Sequence, residues 1–139
     1  MTATEERELH HPPDWPWEYR RFFDLFNEGD YFEAHEVLED LWTIEVAPLK
    51  NYYKGLIQAA VAICHWERGN VSGAWRLWKS AREYLLPFPA TYEGFDLGPF
   101  RNAVDQLFTP LRENLHIAPR IDKSLIPRLH LHPLDQTRK

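Results

Sequence analysis

The stretch from Gly29 to Trp42 constrains the fold more than any other part of this sequence. Asp30, followed three residues later by Glu33, forms a capping-box pattern that predicts the start of a helix at Tyr31. Gly29 is a stop signal for the segment before it. From there the apolar residues recur at the spacing of one helix face: Tyr31, Ala34, Val37, Leu38, Leu41 and Trp42. Such an amphipathic helix must bury its apolar face against other elements.

Four further segments show the same helical spacing, and each ends at a glycine, a proline or a capping residue. The spacing predicts helices over residues 15–28, 31–45, 50–68, 71–86 and 98–114. The connection between the first two is so short that they must form an antiparallel hairpin. Thr109-Pro110 is expected to kink or split the last helix, because proline lacks the amide hydrogen that a helix interior needs.

A weak internal repeat supports a bundle of hairpins. The pattern Gly29-Asp30-x-x-x-Ala34 returns 40 residues later as Gly69-Asn70-x-x-x-Ala74. Each copy consists of a helix, a glycine turn, a cap and a second helix, as in helical-hairpin repeats. We therefore predict an all-α fold: a compact bundle of about five helices, built from two stacked helical hairpins plus a closing helix.

The 139 residues are enough for one domain with its own hydrophobic core. We predict a flexible N-terminal tail over residues 1–13, a single helical domain over 14–126 and a loose C-terminal tail over 127–139. Prolines interrupt the helical pattern after the fifth helix. Apolar residues continue there, and they predict that part of this segment packs along the body in extended form: Ile121, Leu125, Ile126, Leu129 and Leu131.

Composition and charge argue against several kinds of partner. The net charge is −5 and no stripe of Lys and Arg is present, so nucleic acid is not an expected partner. No apolar run is long enough to span a bilayer, and residues 1–11 lack the apolar core of a signal peptide. Cys64 stands alone inside an apolar helical run, which predicts a buried thiol in the reducing cytoplasm.

A candidate site lies on the second predicted helix. His35 and Glu39 are one turn apart at the edge of the apolar arc, flanked by Phe32 and Trp42, whereas Glu36 points towards solvent. The third helix carries a second stripe at helical spacing: Gly55, Gln58, Ala62 and His65.

The stripe on the third helix predicts where the polar groups meet. We expect Gly55 and Ala62 to lie against the second helix, so that His65 points at His35 or Glu39. A buried polar residue must find a partner there, because leaving it unpaired costs ~1–3 kcal/mol. The two helices would then share a polar pocket walled by two aromatics: His35, Glu39, Gln58 and His65, between Phe32 and Trp42.

Two interpretations of this cluster remain open. Two histidines and a carboxylate can hold a divalent metal such as zinc, with His35, Glu39 and His65 as ligands and Glu36 as a candidate catalytic base. Position 39 is Glu, so the His-Glu-x-x-His motif of zinc proteases is absent, as is the Glu-x-x-His pattern of di-iron bundles. Alternatively, the same residues form a hydrogen-bonded network that specifies how the helices dock.

With these motifs identified, the chain resembles domain of unknown function family 309, over about residues 19–121. The resemblance implies an all-helical fold and no reaction, since the family has no established activity. Cys64 falls where a tyrosine is more usual. The resemblance rests on four motifs in order: Phe32-Glu33-Ala34-His35-Glu36-x-x-Glu39-x-x-Trp42, Gly55-Leu56-Ile57-Gln58-x-Ala60, His65, and Gly69-Asn70-x-x-Gly73-Ala74.

Three function hypotheses follow. The hairpin repeat favours a helical scaffold or interaction module. The polar cluster offers a metal- or small-molecule-binding protein as the alternative, and a metal-dependent hydrolase as its catalytic form. The partner would be a protein or a small molecule, without nucleic acid or membrane.

Overall fold

The computed structural model describes residues 15–133, and within them five α-helices form the body. Their bounds are α1 Trp17–Asn27, α2 Tyr31–Ile44, α3 Leu49–Glu67, α4 Val71–Leu85 and α5 Leu97–Asn114. Two 3-10 turns follow, Leu115–Ile117 and Lys123–Leu125. No β-ladder occurs within residues 15–86. The predicted all-α bundle is confirmed, and every helix begins and ends within two residues of its predicted position.

Each of the two glycine turns of the repeat connects the two helices of one hairpin, as expected. Gly29 joins α1 to α2 with φ of +84°, and Gly69 joins α3 to α4 with φ of +85°. This left-handed conformation favours glycine because it has no Cβ. Asn70 caps α4, since its side-chain oxygen accepts a hydrogen bond from the Gly73 amide at 3.1 Å. Asp30 makes no such bond and its carboxylate lies exposed to solvent, so the predicted capping box at α2 is wrong.

The closing helix, α5, runs through Pro110 without a break. The predicted split is therefore wrong. Proline removes only one backbone hydrogen bond from the helix, and Pro110 is exposed, so its ring meets no packed neighbour. In the turn before it, the Thr109 hydroxyl donates to the Asp105 carbonyl oxygen at 2.9 Å.

Large aromatic side chains fill the centre of the bundle. The Trp78 ring on α4 stacks on the Phe108 ring on α5, with ring centroids 5.8 Å apart and an angle of 25° between the ring planes. All five helices contribute fully buried side chains to the core, among them Tyr19, Phe22, Phe26, Leu38, Tyr52, Leu56, Ile63, Trp78 and Phe108. These rings account for the high aromatic content of the chain as core packing.

A chain of two hydroxyl groups crosses this core. The Tyr19 hydroxyl donates to the Glu93 carbonyl oxygen at 2.9 Å and lies 2.6 Å from the Tyr52 hydroxyl. Because the Tyr19 proton is already used, Tyr52 must be the donor to Tyr19. Burial raises the pKa of both tyrosines well above the ordinary value, so both hydroxyls keep their protons.

The segment after α5 returns along α1 in extended form. Leu129 and Leu131 are buried, and the Asn27 side chain makes two hydrogen bonds of 2.7 Å to the Leu129 backbone. Phe95 pairs with Leu131 in an isolated antiparallel bridge. The predicted loose tail is therefore wrong for residues 127–133, because Asn27 and the apolar side chains fix them. Residues 134–139 and the predicted tail over 1–13 lie outside the described residues.

Candidate functional site

An open groove of about 660 Å³ runs along the outer surface of α1 and α2. It contains four of the predicted site residues, Phe32, His35, Glu36 and Glu39. The α2 sequence explains this placement. Ala34, Leu38 and Leu41 face the core, so the residues between them are left on the solvent side. The groove also takes side chains that the sequence did not assign to a site, from α1 Trp17 and Arg21, and from α2 Glu33 and Asp40.

His35 and Glu39 approach each other on the wall of this groove. The His35 Nε2 atom lies 3.8 Å from Glu39 Oε2, across one helical turn. His35 Nδ1 makes a hydrogen bond with the Phe32 carbonyl oxygen. Because a carbonyl oxygen only accepts, Nδ1 carries a proton, and an ion pair with Glu39 requires a second proton on Nε2. The His35 ring also packs edge-on against Phe32, with ring centroids 4.8 Å apart.

The groove is acidic. It has four carboxylates, Glu33, Glu36, Glu39 and Asp40, against the single guanidinium of Arg21, which gives a formal charge of −3 when His35 is neutral. The Arg21 guanidinium lies 3.7 Å from the Glu28 carboxylate, and Glu28 is not part of the groove lining. Within residues 15–133, three of the carboxylates make no ion pair: Glu33, Glu36 and Asp40. The Phe32 side chain, which is 45% exposed, adds an apolar ring beside these carboxylates.

Trp42 lies outside the groove, so its predicted role as a wall beside His35 and Glu39 is wrong. Its indole ring instead faces α3, where the Lys50 and Lys54 ammonium groups lie 4.1 and 4.8 Å from the ring centroid. Lys50 also donates to the Trp42 carbonyl oxygen at 3.0 Å. These cation–π contacts attach the end of α2 to the start of α3.

Neither His65 nor Gln58 lines the groove that contains His35. A Cβ atom added at Gly55 would lie 2.5 Å from the Leu85 side chain, so the small-residue stripe of α3 faces α4 at this point, and the predicted contact of Gly55 with α2 is wrong. The His65 Nδ1 atom accepts a hydrogen bond from the side-chain amide of Asn70, the residue that caps α4, at 3.2 Å. The Gln58 side-chain oxygen is buried and has no hydrogen-bond partner among the described residues.

The predicted metal centre requires His35, Glu39 and His65 to lie close together. Within residues 15–133, no group of three or more His, Cys, Asp or Glu side chains is arranged to hold a metal ion. The three-ligand set of His35, Glu39 and His65 is therefore not assembled within these residues: His35 and Glu39 line the acidic groove, whereas His65 does not. Glu36 is exposed in the acidic groove, and its role as a catalytic base stays a prediction.

Tyr31, the first residue of α2, links the groove helix to the end of α3. Burial raises the pKa of its phenol to about 12, and the nearby Glu67 carboxylate adds to this shift. Close by, the Arg68 guanidinium lies 5.5 Å from the centre of the Phe32 ring.

In the part of the chain that the structure covers, no helix is both long and apolar enough to cross a lipid bilayer.

The fold and groove define a small helical-bundle protein with an acidic groove on its surface. Residues 19–77 match the family model described as Domain of unknown function (DUF309), which confirms the resemblance that the motifs indicated. The match covers α1 from Tyr19 onwards, all of α2 and α3, and the first half of α4. It therefore includes every residue that lines the acidic groove except Trp17.

Two curated proteins are similar to this chain. An uncharacterized protein of Aquifex aeolicus (strain VF5) is 31% identical over 83 residues, which are 59% of this chain and 25% of that protein. The uncharacterized protein YpuF of Bacillus subtilis (strain 168) is 34% identical over 100 residues, 70% of this chain and 56% of that protein. The chain thus spans a quarter and just over half of these relatives. No solved structure matches it at a significant level.

Proposed function

We propose that this protein is an interaction module that binds a basic segment of a partner protein in the acidic groove between α1 and α2. The observation that carries the proposal is a groove of about 660 Å³ in which Glu33, Glu36 and Asp40 make no ion pair within the described residues. Like charges held together repel one another, and a cationic partner relieves that repulsion.

The exposed Phe32 ring specifies the partner further. It is 45% exposed beside the carboxylates, so a partner that carries both cations and a large apolar side chain would use the whole surface. An aromatic ring can also accept a Lys or Arg side chain, as Phe32 accepts Arg68, the residue that follows α3. A basic amphipathic helix lying between α1 and α2 fits this combination.

Two further proposals set the context of this module. The region that includes residues 14–126 is a single helical domain, supported by one continuous core to which α1 to α5 all contribute. Its location is the cytoplasm, which is supported by the buried free thiol of Cys64. The matched relatives are longer than this chain, which is compatible with a module that also occurs within larger proteins.

The test is a binding titration of the full chain with a fluorescent amphipathic peptide made of lysine and leucine. We expect saturable binding that weakens as ionic strength rises from ~0.02 to ~0.5 M, because exposed charges are screened. The double variant Glu33→Gln/Glu36→Gln should bind about 2- to 30-fold more weakly, at ~0.2–1 kcal/mol per exposed charge.

The matched control is Glu83→Gln/Glu113→Gln, which makes the same change of charge at exposed positions outside the groove. It should bind as the parent does. An equal loss in both double variants would show that only net charge matters, and the absence of binding to the parent chain would overturn the proposal.

A further inference from the structure

A second groove, of about 630 Å³, lies at the turn between α3 and α4. Residues 118–121 and Lys123 close its other side, and the Trp66 indole nitrogen holds this segment in place by donating to the Pro119 carbonyl oxygen at 2.8 Å. Three cationic side chains line this groove, Arg68, Arg120 and Lys123. We call it the basic groove.

The positive charge of the basic groove is only partly neutralised. Glu67 is the one carboxylate in its lining, and its Oε2 atom lies 3.5 Å from Lys123 Nζ. Arg120 makes no ion pair with any described residue. The neighbouring Asp122 is not part of the lining, and its carboxylate accepts from the amide and hydroxyl of Ser124. The lining therefore has a formal charge of +2 in a chain whose net charge is −5.

The contacts of Arg68 leave its charge available. Its guanidinium group lies 5.5 Å from the Phe32 ring, a contact that orients the side chain without neutralising it. Apolar side chains lie beside the three cations, since Trp66, Val71 and Ile121 also line the groove. The site thus combines two guanidinium groups and one ammonium group with an apolar surface.

We propose that the basic groove binds a small organic phosphate monoester. At neutral pH a phosphate monoester carries a charge of about −1.5 to −2, which balances the +2 of the lining, whereas a carboxylate leaves half of it uncompensated. Guanidinium groups match the geometry of phosphate oxygens through paired hydrogen bonds. The apolar lining receives the organic part of the ligand.

The phosphate site concerns other residues than the proposed peptide site and a ligand of opposite charge, so either proposal can fail alone. The basic groove and the acidic groove share no lining residue.

The test uses NMR titrations of the ¹⁵N-labelled full chain with phenyl phosphate, inorganic phosphate, benzoate and sodium chloride at matched ionic strength. We expect phenyl phosphate to shift the amide signals of Gly69, Val71 and Ile121 saturably, and to bind more tightly than inorganic phosphate or benzoate. Arg120→Gln should weaken binding about tenfold, the loss expected for one hydrogen bond to a charged group.

The control variant is Arg112→Gln, which removes an exposed arginine on α5 outside this groove. It should bind phenyl phosphate as the parent does. Equal weakening by both variants, or the same signal shifts with chloride as with phenyl phosphate, would overturn the proposal. Tighter binding of a phosphoserine peptide than of phenyl phosphate would overturn its small-molecule part and assign the groove to a phosphoprotein. Circular dichroism spectra of both variants establish that they are folded.

Discussion

At the scale of single residues, the hydrogen-bonded hydroxyl groups in the core predict that Tyr19 and Tyr52 contribute unequally to the stability of the fold. Tyr19 both donates to the Glu93 carbonyl and accepts from Tyr52, whereas Tyr52 only donates. Tyr19→Phe therefore leaves a buried donor and a partly buried acceptor unpaired, and Tyr52→Phe leaves Tyr19 with its bond to Glu93.

We expect Tyr19→Phe to lower the free energy of unfolding by ~1–3 kcal/mol and Tyr52→Phe to lower it less. Urea unfolding of the two variants beside the parent measures both values, and each variant serves as the control for the other because both lose one buried hydroxyl. A larger loss for Tyr52→Phe would mean that the direction of donation is the reverse.

Tyr31 predicts a pH dependence. Its pKa is raised from 10.0 to about 12 in the folded chain. As pH rises above 10, the unfolded chain releases this proton while the folded chain keeps it, so the unfolded state gains stability. The Tyr31 contribution is therefore complete below pH 10 and is lost progressively up to about pH 12.

Urea unfolding at several pH values between ~8 and ~12 checks this, with Tyr31→Phe as the comparison. The free energy of unfolding should fall less steeply with alkaline pH in Tyr31→Phe than in the parent. Identical slopes for the two proteins would contradict the assigned environment of Tyr31.

At the scale of elements, the helices and their ends follow from the sequence, because apolar spacing, glycine turns and the Asn70 cap act locally. The neighbour that each helix face meets depends on the arrangement of the whole bundle. Helix α3 has α2 on one side and α4 on the other, and sequence spacing shows its two faces without showing which neighbour each one meets. The predicted contact of Gly55 with α2 is wrong for this reason, since Gly55 meets Leu85 of α4.

The sequence predicted the part of the candidate site that lies on a single helix. Phe32, His35, Glu36 and Glu39 lie on one helix, so their spacing alone placed them together. Trp17 and Arg21 come from α1, four residues apart on one face, and could be added only once the α1–α2 hairpin had been oriented. His65 does not line this groove, and its predicted place beside His35 depended on long-range packing that spacing does not show.

Substitutions at Gly55 test whether this part of α3 packs against α4. Gly55→Leu should lower the free energy of unfolding by ~1–3 kcal/mol, because a Cβ atom there already meets Leu85 at 2.5 Å. Adding Leu85→Ala should recover part of this loss, with a coupling energy of ~0.5–3 kcal/mol in a double-mutant cycle.

The control pairs Gly55→Leu with Leu38→Ala, a fully buried position on α2. If α3 meets α4 at Gly55, the effects of this second pair should be additive. Coupling of Gly55 to Leu38 in place of Leu85 would return the contact to α2.

At the scale of the whole molecule, charge is divided between two surfaces. The acidic groove on α1 and α2 has a formal charge of −3, and the basic groove at the α3–α4 turn has a formal charge of +2. The Phe32–Arg68 contact lies between them, with one residue in each lining. A partner with basic and apolar side chains should therefore bind to α1 and α2 and be repelled from the α3–α4 turn.

The most direct test of this account is an NMR map of the full ¹⁵N-labelled chain during titration with the lysine–leucine peptide. The binding proposal predicts saturable shifts in the amide signals of residues 32–40 and 17–25, with little change at residues 66–71 and 118–123. Glu33→Gln/Glu36→Gln should reduce those shifts at equal peptide concentration. Shifts centred on α4 and α5, or no saturable shift at all, would contradict the claim that the acidic groove is the binding surface.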